Sequence, residues 1–235
     1  MLSFLKKKPF CSAVIVAAGS ARRMEGIDKI MADLGGKPVI YRAIRAFEDN
    51  PEIGEIIVVT REDLVGPISQ WCAAWDCKKV RLVLVGGADR LSSVAAGVGA
   101  VNKKTTLVAV HDGARPLVSQ KIITETVQKA AKTGAAAPAV PVKDTVKQAQ
   151  NGAVTATPDR SCLFAVQTPQ IFDADLLRAA LKHASDKSLP VTDDCSCVEA
   201  LGMRVMLTEG EERNLKITTP MDLKIAELWL EGESL

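Results

Sequence analysis

The chain has 235 residues, with 30 Lys and Arg against 28 Asp and Glu, a formal net charge of +2. That near-balance argues against a protein built to grip nucleic acid or an anionic membrane, although it leaves room for a local basic pocket. Apolar residues at 47% and charged residues at 25% are ordinary globular usage. Aromatics at 4% argue against a base-stacking platform, and two histidines disfavour a His-built metal site or imidazole catalysis.

The six cysteines, Cys11, Cys72, Cys77, Cys162, Cys195 and Cys197, include no Cys-x-x-Cys pair. A chain of this size needs no disulfide staples, so buried or incidental thiols in a reducing cytosol are expected. Met1 to Pro9 carry three lysines but no apolar stretch long enough for a signal peptide. No run of about 18 apolar residues exists. The expected location is the cytoplasm, with no membrane and no nucleic acid as partner.

Short, nearly continuous apolar runs recur along the first half: Val14-Ile15-Val16, Ile56-Ile57-Val58-Val59, residues 80–85 and Leu107-Val108-Ala109-Val110. Such runs suit strands buried on both faces. Between them, Val39, Ile40, Ala43, Ile44 and Phe47 share one face of a helix, with Pro38 in its first turn. Residues 92–101 form a small-residue helix able to approach a sheet closely, and residues 120–132 form another. The alternation implies a largely parallel sheet with helices on both faces. A fifth strand is expected at residues 135–142.

Residues 143–168 break the rhythm. They are polar, and Asn151-Gly152 between extended segments signals a hairpin. The residues support an arm projecting from the sheet, as either a surface hairpin or a dimerisation element. Helices come next at residues 173–185 and 192–201, then a strand at 204–207. A last helix opens at Thr219-Pro220-Met221-Asp222, a cap, a first-turn proline and an acidic residue in start order. No linker separates two cores, so residues 1–235 read as a single domain with an arm at about 143–168.

In a parallel sheet, ligands bind beyond the carboxyl ends of the strands. After the first strand comes Ala17-Ala18-Gly19 with Arg23 and Lys29 downstream. Small residues let backbone amides approach a phosphate, and the two cations add fixed positive charge. The loop is neither a Walker loop nor a dinucleotide fingerprint. After the third strand, Gly86-Gly87 permits close backbone contact, and Ser92 and Ser93 offer hydroxyls. After the fourth strand, Asp112 stands where a magnesium-linked carboxylate belongs, and Arg115 can fork onto a phosphate. His111 is either a packed histidine or a ligand or base, and packing is the better reading. Further candidates are Thr145, Arg160, Thr168, the Thr192-Asp193 helix start, where amides attract anions, and the Asn214 to Thr218 segment with Lys216.

Taken in order, these motifs resemble the 2-C-methyl-D-erythritol 4-phosphate cytidylyltransferase family. The resemblance rests on Ala-Ala-Gly-x-x-x-Arg-Met with a downstream Lys, Gly-Gly-x-x-Arg-x-x-Ser-Val, His-Asp-x-Ala-Arg-Pro, and the Asp-Thr, Asp-Arg, Thr-Pro-Gln, Thr-Asp and Asn-x-Lys-x-Thr-x-Pro elements. It spans residues 13–230. It implies a Rossmann-like three-layer α/β/α fold of the nucleotide-diphospho-sugar transferase type, with a mostly parallel sheet and a protruding β-arm. It implies transfer of the cytidyl group of CTP to methylerythritol phosphate with magnesium. By the same resemblance, Arg23, Lys29 and Lys216 would be catalytic, and Ala18, Gly19, Gly87 and Ser93 would bind the nucleotide. Asp112 would serve the metal and the substrate, while Arg115, Thr145, Thr168 and Thr192 would bind the acceptor. Arg160 would reach the site of a second subunit, which favours a homodimer. One departure is visible: the family commonly has Asp directly after the Gly-Gly pair, whereas this chain has Ala88 and then Asp89. The alternatives are a ribitol-5-phosphate cytidylyltransferase, or a non-catalytic nucleotide-binding protein on the same fold.

Overall fold

The computed structural model describes residues 9–19 and 28–232. Along the chain run β1 (Cys11–Val16), α1 (Val39–Glu48), β2 (Ile53–Thr60), α2 (Glu62–Ala74), β3 (Val80–Val85), α3 (Arg90–Ala100), β4 (Leu107–Asp112), α4 (Gln120–Thr133) and β5 (Ala135–Pro141). The second half comprises β6 (Gln148–Gln150), β7 (Ala153–Ala156), β8 (Phe164–Val166), β9 (Gln170–Asp173), α5 (Ala174–Asp186), α6 (Asp194–Glu199), β10 (Met206–Glu209) and α7 (Pro220–Glu231).

Strand β1 shows why the sheet is covered on both sides. Cys11, Ala13 and Ile15 enter one core, together with the buried faces of α1, α2 and α4. Val14 enters the other, with residues of α3, α5 and α6. A strand that is apolar on both faces leaves no side for water, and two helical layers remove both faces from it. The order across the sheet is β10-β5-β9-β4-β1-β2-β3. β1 pairs in parallel with β2 and β4, and β2 with β3. The fold is thus the mixed, mostly parallel α/β/α sandwich expected.

Three points differ from the sequence reading. Helix α2 is absent from the sequence reading because Gly66-Pro67 is a breaker signal, although Leu64, Ile68 and Cys72 recur at helical spacing and are buried. Strand β9 lies antiparallel between β4 and β5, where a helix approach was expected. It is too short for its alternation to register. Pro38 is the N-cap of α1 rather than a first-turn residue.

The arm begins where β5 ends. β6 and β7 form a separate two-stranded ribbon closed by Asn151 and Gly152, both at positive φ (51° and 80°), which a tight hairpin turn needs. β8 returns antiparallel along Ala139 to Pro141 of β5. Both ribbon strands are exposed throughout. Helix α7 starts with a capping box: Thr219 accepts the Asp222 amide, and the Asp222 carboxylate accepts the Thr219 amide. It covers a small cluster of Leu34, Val39, Ile217 and Ala226.

Candidate active site

The carboxyl ends of β1, β3 and β4 surround a cavity of about 390 Å³. Its lining includes Ala18, Gly19, Lys29, Gly87, Ser93, Asp112 and Lys216, with Ala88, Asp89 and Arg90 beside them. Seven residues singled out from scattered motifs therefore share one space. Arg23 lies outside the described residues.

The first wall is the loop after β1. The Ala17 amide donates to the Val59 carbonyl at 2.7 Å, which turns the chain over the end of β2. The chain that carries Lys29 is fixed by the residue before it. Asp28 accepts the Arg61 guanidinium at 2.5 Å on one oxygen and the Ile30 amide at 3.0 Å on the other.

The second wall is the Gly86–Arg90 turn. A Cβ on Gly86 would lie 2.5 Å from the Ala18 Cβ and 2.8 Å from Ser93 Oγ, so the two walls meet only because this residue has no side chain. Ser93 Oγ accepts the Gly87 amide at 3.1 Å and donates to the Asp89 carbonyl at 2.7 Å. Asp89 caps α3: its Oδ1 accepts the Ser92 amide at 2.7 Å and the Ser92 hydroxyl at 2.6 Å. This oxygen is committed to the helix start, and Ala88 offers only a methyl group and backbone.

The floor is Asp112, at the tip of β4. Lys216 Nζ lies 2.8 Å from Asp112 Oδ2, Arg115 Nε 3.7 Å from the same oxygen, and Arg90 Nη2 3.8 Å from Oδ1. Burial works against ionisation of this carboxyl, but Lys216, Arg90 and Arg115 outweigh it and hold the group down at about 2. Lys216 is brought here by the Ile217 amide, which donates to the Ala114 carbonyl at 2.8 Å.

Behind Asp112 a buried chain of hydrogen bonds fixes its backbone. The Asp112 amide donates to Thr168 Oγ1 at 3.1 Å, and that hydroxyl lies 3.0 Å from His111 Nδ1. His111 Nε2 is 3.1 Å from the Arg115 carbonyl, which can only accept. The Nε2 nitrogen therefore carries the proton, and Thr168 donates to Nδ1. Burial, the largest influence, pushes the His111 pKa down to about 4. His111 is fully buried and neutral, a packed histidine with both nitrogens engaged. Asn214 completes the support. Its side-chain amide donates to the Thr168 carbonyl at 2.9 Å, and its own carbonyl accepts Arg115 at 2.5 Å.

Of the remaining predicted residues, Arg115 adjoins Asp112, and among the described residues its buried Nε meets no hydrogen-bond partner. Thr168 is buried behind Asp112 with its hydroxyl engaged on both sides. Thr192 is exposed, two residues before α6. The amides at that helix start are not open to an anion: those of Asp194 and Cys195 donate to Gln170 Oε1 at 3.0 and 3.1 Å, and that of Ser196 to Asp193. Thr145 and Arg160 are exposed on the arm, where Arg160 donates to the Lys143 carbonyl at 2.6 Å. Sequence reasoning missed Asp28, Arg61 and Asp194. The partners of Asp28 and Asp194 lie 33 and 104 residues away, and no local spacing marks such pairs.

Three cations around one carboxylate and glycine-rich walls make a cavity whose chemistry can accept a polyanion. The family profile for 2-C-methyl-D-erythritol 4-phosphate cytidylyltransferase matches residues 11–232. A protein of that name from Caldanaerobacter subterraneus subsp. tengcongensis is 43% identical over 228 residues, covering 93% of this chain and 98% of that one. Another from Bacillus licheniformis is 42% identical over 221 residues, covering 94% and 95%. The crystal structure of 4-diphosphocytidyl-2C-methyl-D-erythritol synthase from Anaerococcus prevotii superposes with a TM-score of 0.86 at 33% identity, covering 95% of this chain and 97% of that one. The Thermus thermophilus cytidylyltransferase superposes at 0.77 with 33% identity, covering 93% and 98%.

Proposed function

The chain belongs to the 2-C-methyl-D-erythritol 4-phosphate cytidylyltransferase family, and from that premise we propose that its cavity binds CTP and passes the cytidyl group to methylerythritol phosphate. The observation that carries this reading is the Lys216–Asp112 pair, which stands between the two nucleotide-side walls and the Arg115–Thr168 side. CTP lies along the first two walls, with the base and ribose against Gly87 to Ser93 and the triphosphate toward Ala18, Gly19 and Lys29, with Arg23 in the same loop. The acceptor approaches from the side of Arg115 and Thr192, completed by Thr145 and Arg160, while Thr168 supports Asp112 from behind.

The nucleophile is a phosphate monoester oxygen, already largely ionised near pH 7 because its second pKa is about 6. It forms a bond to the α-phosphorus of CTP. The bond from that phosphorus to the bridging oxygen breaks, and its electron pair leaves with pyrophosphate. No proton has to be removed, so orientation and charge stabilisation suffice. This chemistry suits a site whose one histidine is neutral and doubly hydrogen-bonded. Lys29 and Arg23 hold the triphosphate, and Lys216 neutralises charge gathering at the α-phosphate.

Magnesium fits the donor set. Among the described residues no group of three or more ligating side chains exists, and Asp112 offers one ionised carboxylate. One carboxylate plus substrate phosphates is the usual way proteins hold this ion. When bound there, magnesium would screen the triphosphate and favour the departure of pyrophosphate. We read the arm as a homodimer contact, since Val146, Val154, Phe164 and Val166 expose apolar surface along it. Among the described residues no helix is long and apolar enough to cross a membrane, and we place the enzyme in the cytoplasm.

The test is pyrophosphate release with CTP, UTP or ATP, each with methylerythritol phosphate, with ribitol 5-phosphate and without acceptor. Release with CTP and methylerythritol phosphate together is expected. Release independent of acceptor, or only with ribitol phosphate, would overturn the reading.

A further inference from the structure

Arg90 is the first residue of α3, directly after the cavity-lining Gly87, Ala88 and Asp89. Its side chain does not point into solvent. The guanidinium makes a two-pronged pair with Asp194, Nη1 to Oδ1 at 3.0 Å and Nη2 to Oδ2 at 2.7 Å. Asp194 is the first residue of α6, its side chain 1% exposed, two positions after Thr192. The same Nη2 also lies 3.8 Å from Asp112. One side chain thus joins the turn of the nucleotide wall, the start of the helix behind Thr192, and the carboxylate between them.

The Asp194 end of this link is anchored. Its amide donates to Gln170 of β9 at 3.0 Å, so the helix start is held against the sheet. The Arg90 end belongs to the turn that lines the cavity. A planar fork on a carboxylate transmits position in a way that a point charge does not. Stability alone does not call for such a pair, because apolar residues of similar volume can replace a buried ion pair without loss.

Resting on the reading of CTP and methylerythritol phosphate as substrates, we propose that Arg90 is a positioning residue that couples their binding, its fork on Asp194 registering the Gly87–Asp89 turn against the Thr192 segment. Nucleotide binding sets the turn, the fork carries that setting to the start of α6, and the acceptor meets a preformed site. By linkage the acceptor tightens nucleotide binding by the same factor, on the order of tenfold.

The experiment is titration calorimetry with α,β-methylene-CTP, whose carbon bridge blocks release of pyrophosphate, with and without saturating methylerythritol phosphate. Wild-type protein is expected to bind the analogue about tenfold more tightly with acceptor present. In the double variant Arg90→Met/Asp194→Leu the two affinities should agree within about twofold, with Tm close to wild type. Arg90→Lys keeps the charge and loses the fork, and should lose most of the coupling; it carries the test should the double variant not fold. Wild-type coupling retained in Arg90→Lys or in the folded double variant overturns the proposal, as does a wild type without coupling. Wild-type turnover of CTP with methylerythritol phosphate is measured alongside. Its absence overturns the substrate reading, whereas normal turnover without coupling overturns the role of Arg90 alone.

Discussion

Lys216 closes on Asp112 at 2.8 Å, and the pair forms the floor of the cavity, with the lysine side chain still 39% exposed toward it. This cation is held in place before any substrate arrives. Preorganised charge of this kind lowers a barrier because nothing has to reorganise during the reaction. Lys216→Met should therefore lower kcat by about two orders of magnitude or more while leaving the fold intact. Lys29→Ala and Arg23→Ala should each do the same. Pyrophosphate release at saturating substrates, with circular dichroism as the control for folding, checks all three. Near-normal turnover in folded variants would sink the electrostatic mechanism.

His111 should make the protein sensitive to mild acid without being a catalyst. Burial lowers its folded-state pKa from 6.5 to about 4. Between those values the unfolded chain takes up a proton that the native state does not, so stability must fall as pH drops through that window. Below about 4 both states are protonated and the loss is complete. Protonation would also place a donor where Thr168 already donates. Thermal melts from pH 7 to pH 4 should show the decline, and His111→Gln should flatten it. Its kcat should fall far less than that of Lys216→Met. A His111 NMR resonance, assigned by its loss in His111→Gln, that titrates near 6.5 in the folded protein would contradict the buried neutral assignment.

The strand ends were legible because buried parallel strands leave continuous apolar runs, and the loop after each run lies at the ligand face. That is why Ala18, Gly87, Ser93 and Asp112, far apart in sequence, line one cavity. The roles of the side chains that hold them were not legible. Asn214 showed as part of a motif, but nothing in its neighbours says that it supports Thr168 and Arg115. Asp194 carries no local signal, because its carboxylate serves Arg90 across 104 residues. Helix caps have local spacing and can be read; long-range pairs have none until the sheet order is known. β9 escaped for the same reason, since its place between β4 and β5 is a matter of topology.

The Ala88 departure leads to a prediction about base choice. Asp89 Oδ1 is taken by the amide and hydroxyl of Ser92, and the expected outcome is that backbone groups of the turn, rather than this carboxylate, read the base. Asp89→Ser retains a capping oxygen. It should keep the CTP over UTP preference within about threefold, whereas Asp89→Ala should lower Tm by removing the cap. Gly86→Ala is the positive control. A Cβ 2.5 Å from that of Ala18 forces the walls apart, at a cost of about 1–3 kcal/mol for such overpacking, and the KM for CTP should rise about tenfold or more. A collapse of selectivity in Asp89→Ser would show that the carboxylate reads the base after all.

The arm makes a prediction about subunits. Val154 is 61% exposed and Phe164 45% exposed on elements with little core of their own. A second copy would cover them. Val154→Asp combined with Phe164→Asp should shift the protein toward monomer in sedimentation and lower its activity in parallel. Arg160 permits a sharper test. It is exposed on the arm and does not line the cavity of its own chain. If it serves the partner's site, Arg160→Ala and Lys216→Met are each nearly inactive alone but complement each other. Co-expressed in equal amounts they form half heterodimers, each with one complete site, so activity should return to about a quarter of wild type. An arginine acting within its own chain predicts heterodimers with no complete site and no recovery. The size of the recovery therefore decides between an arm that reaches across and one that folds back.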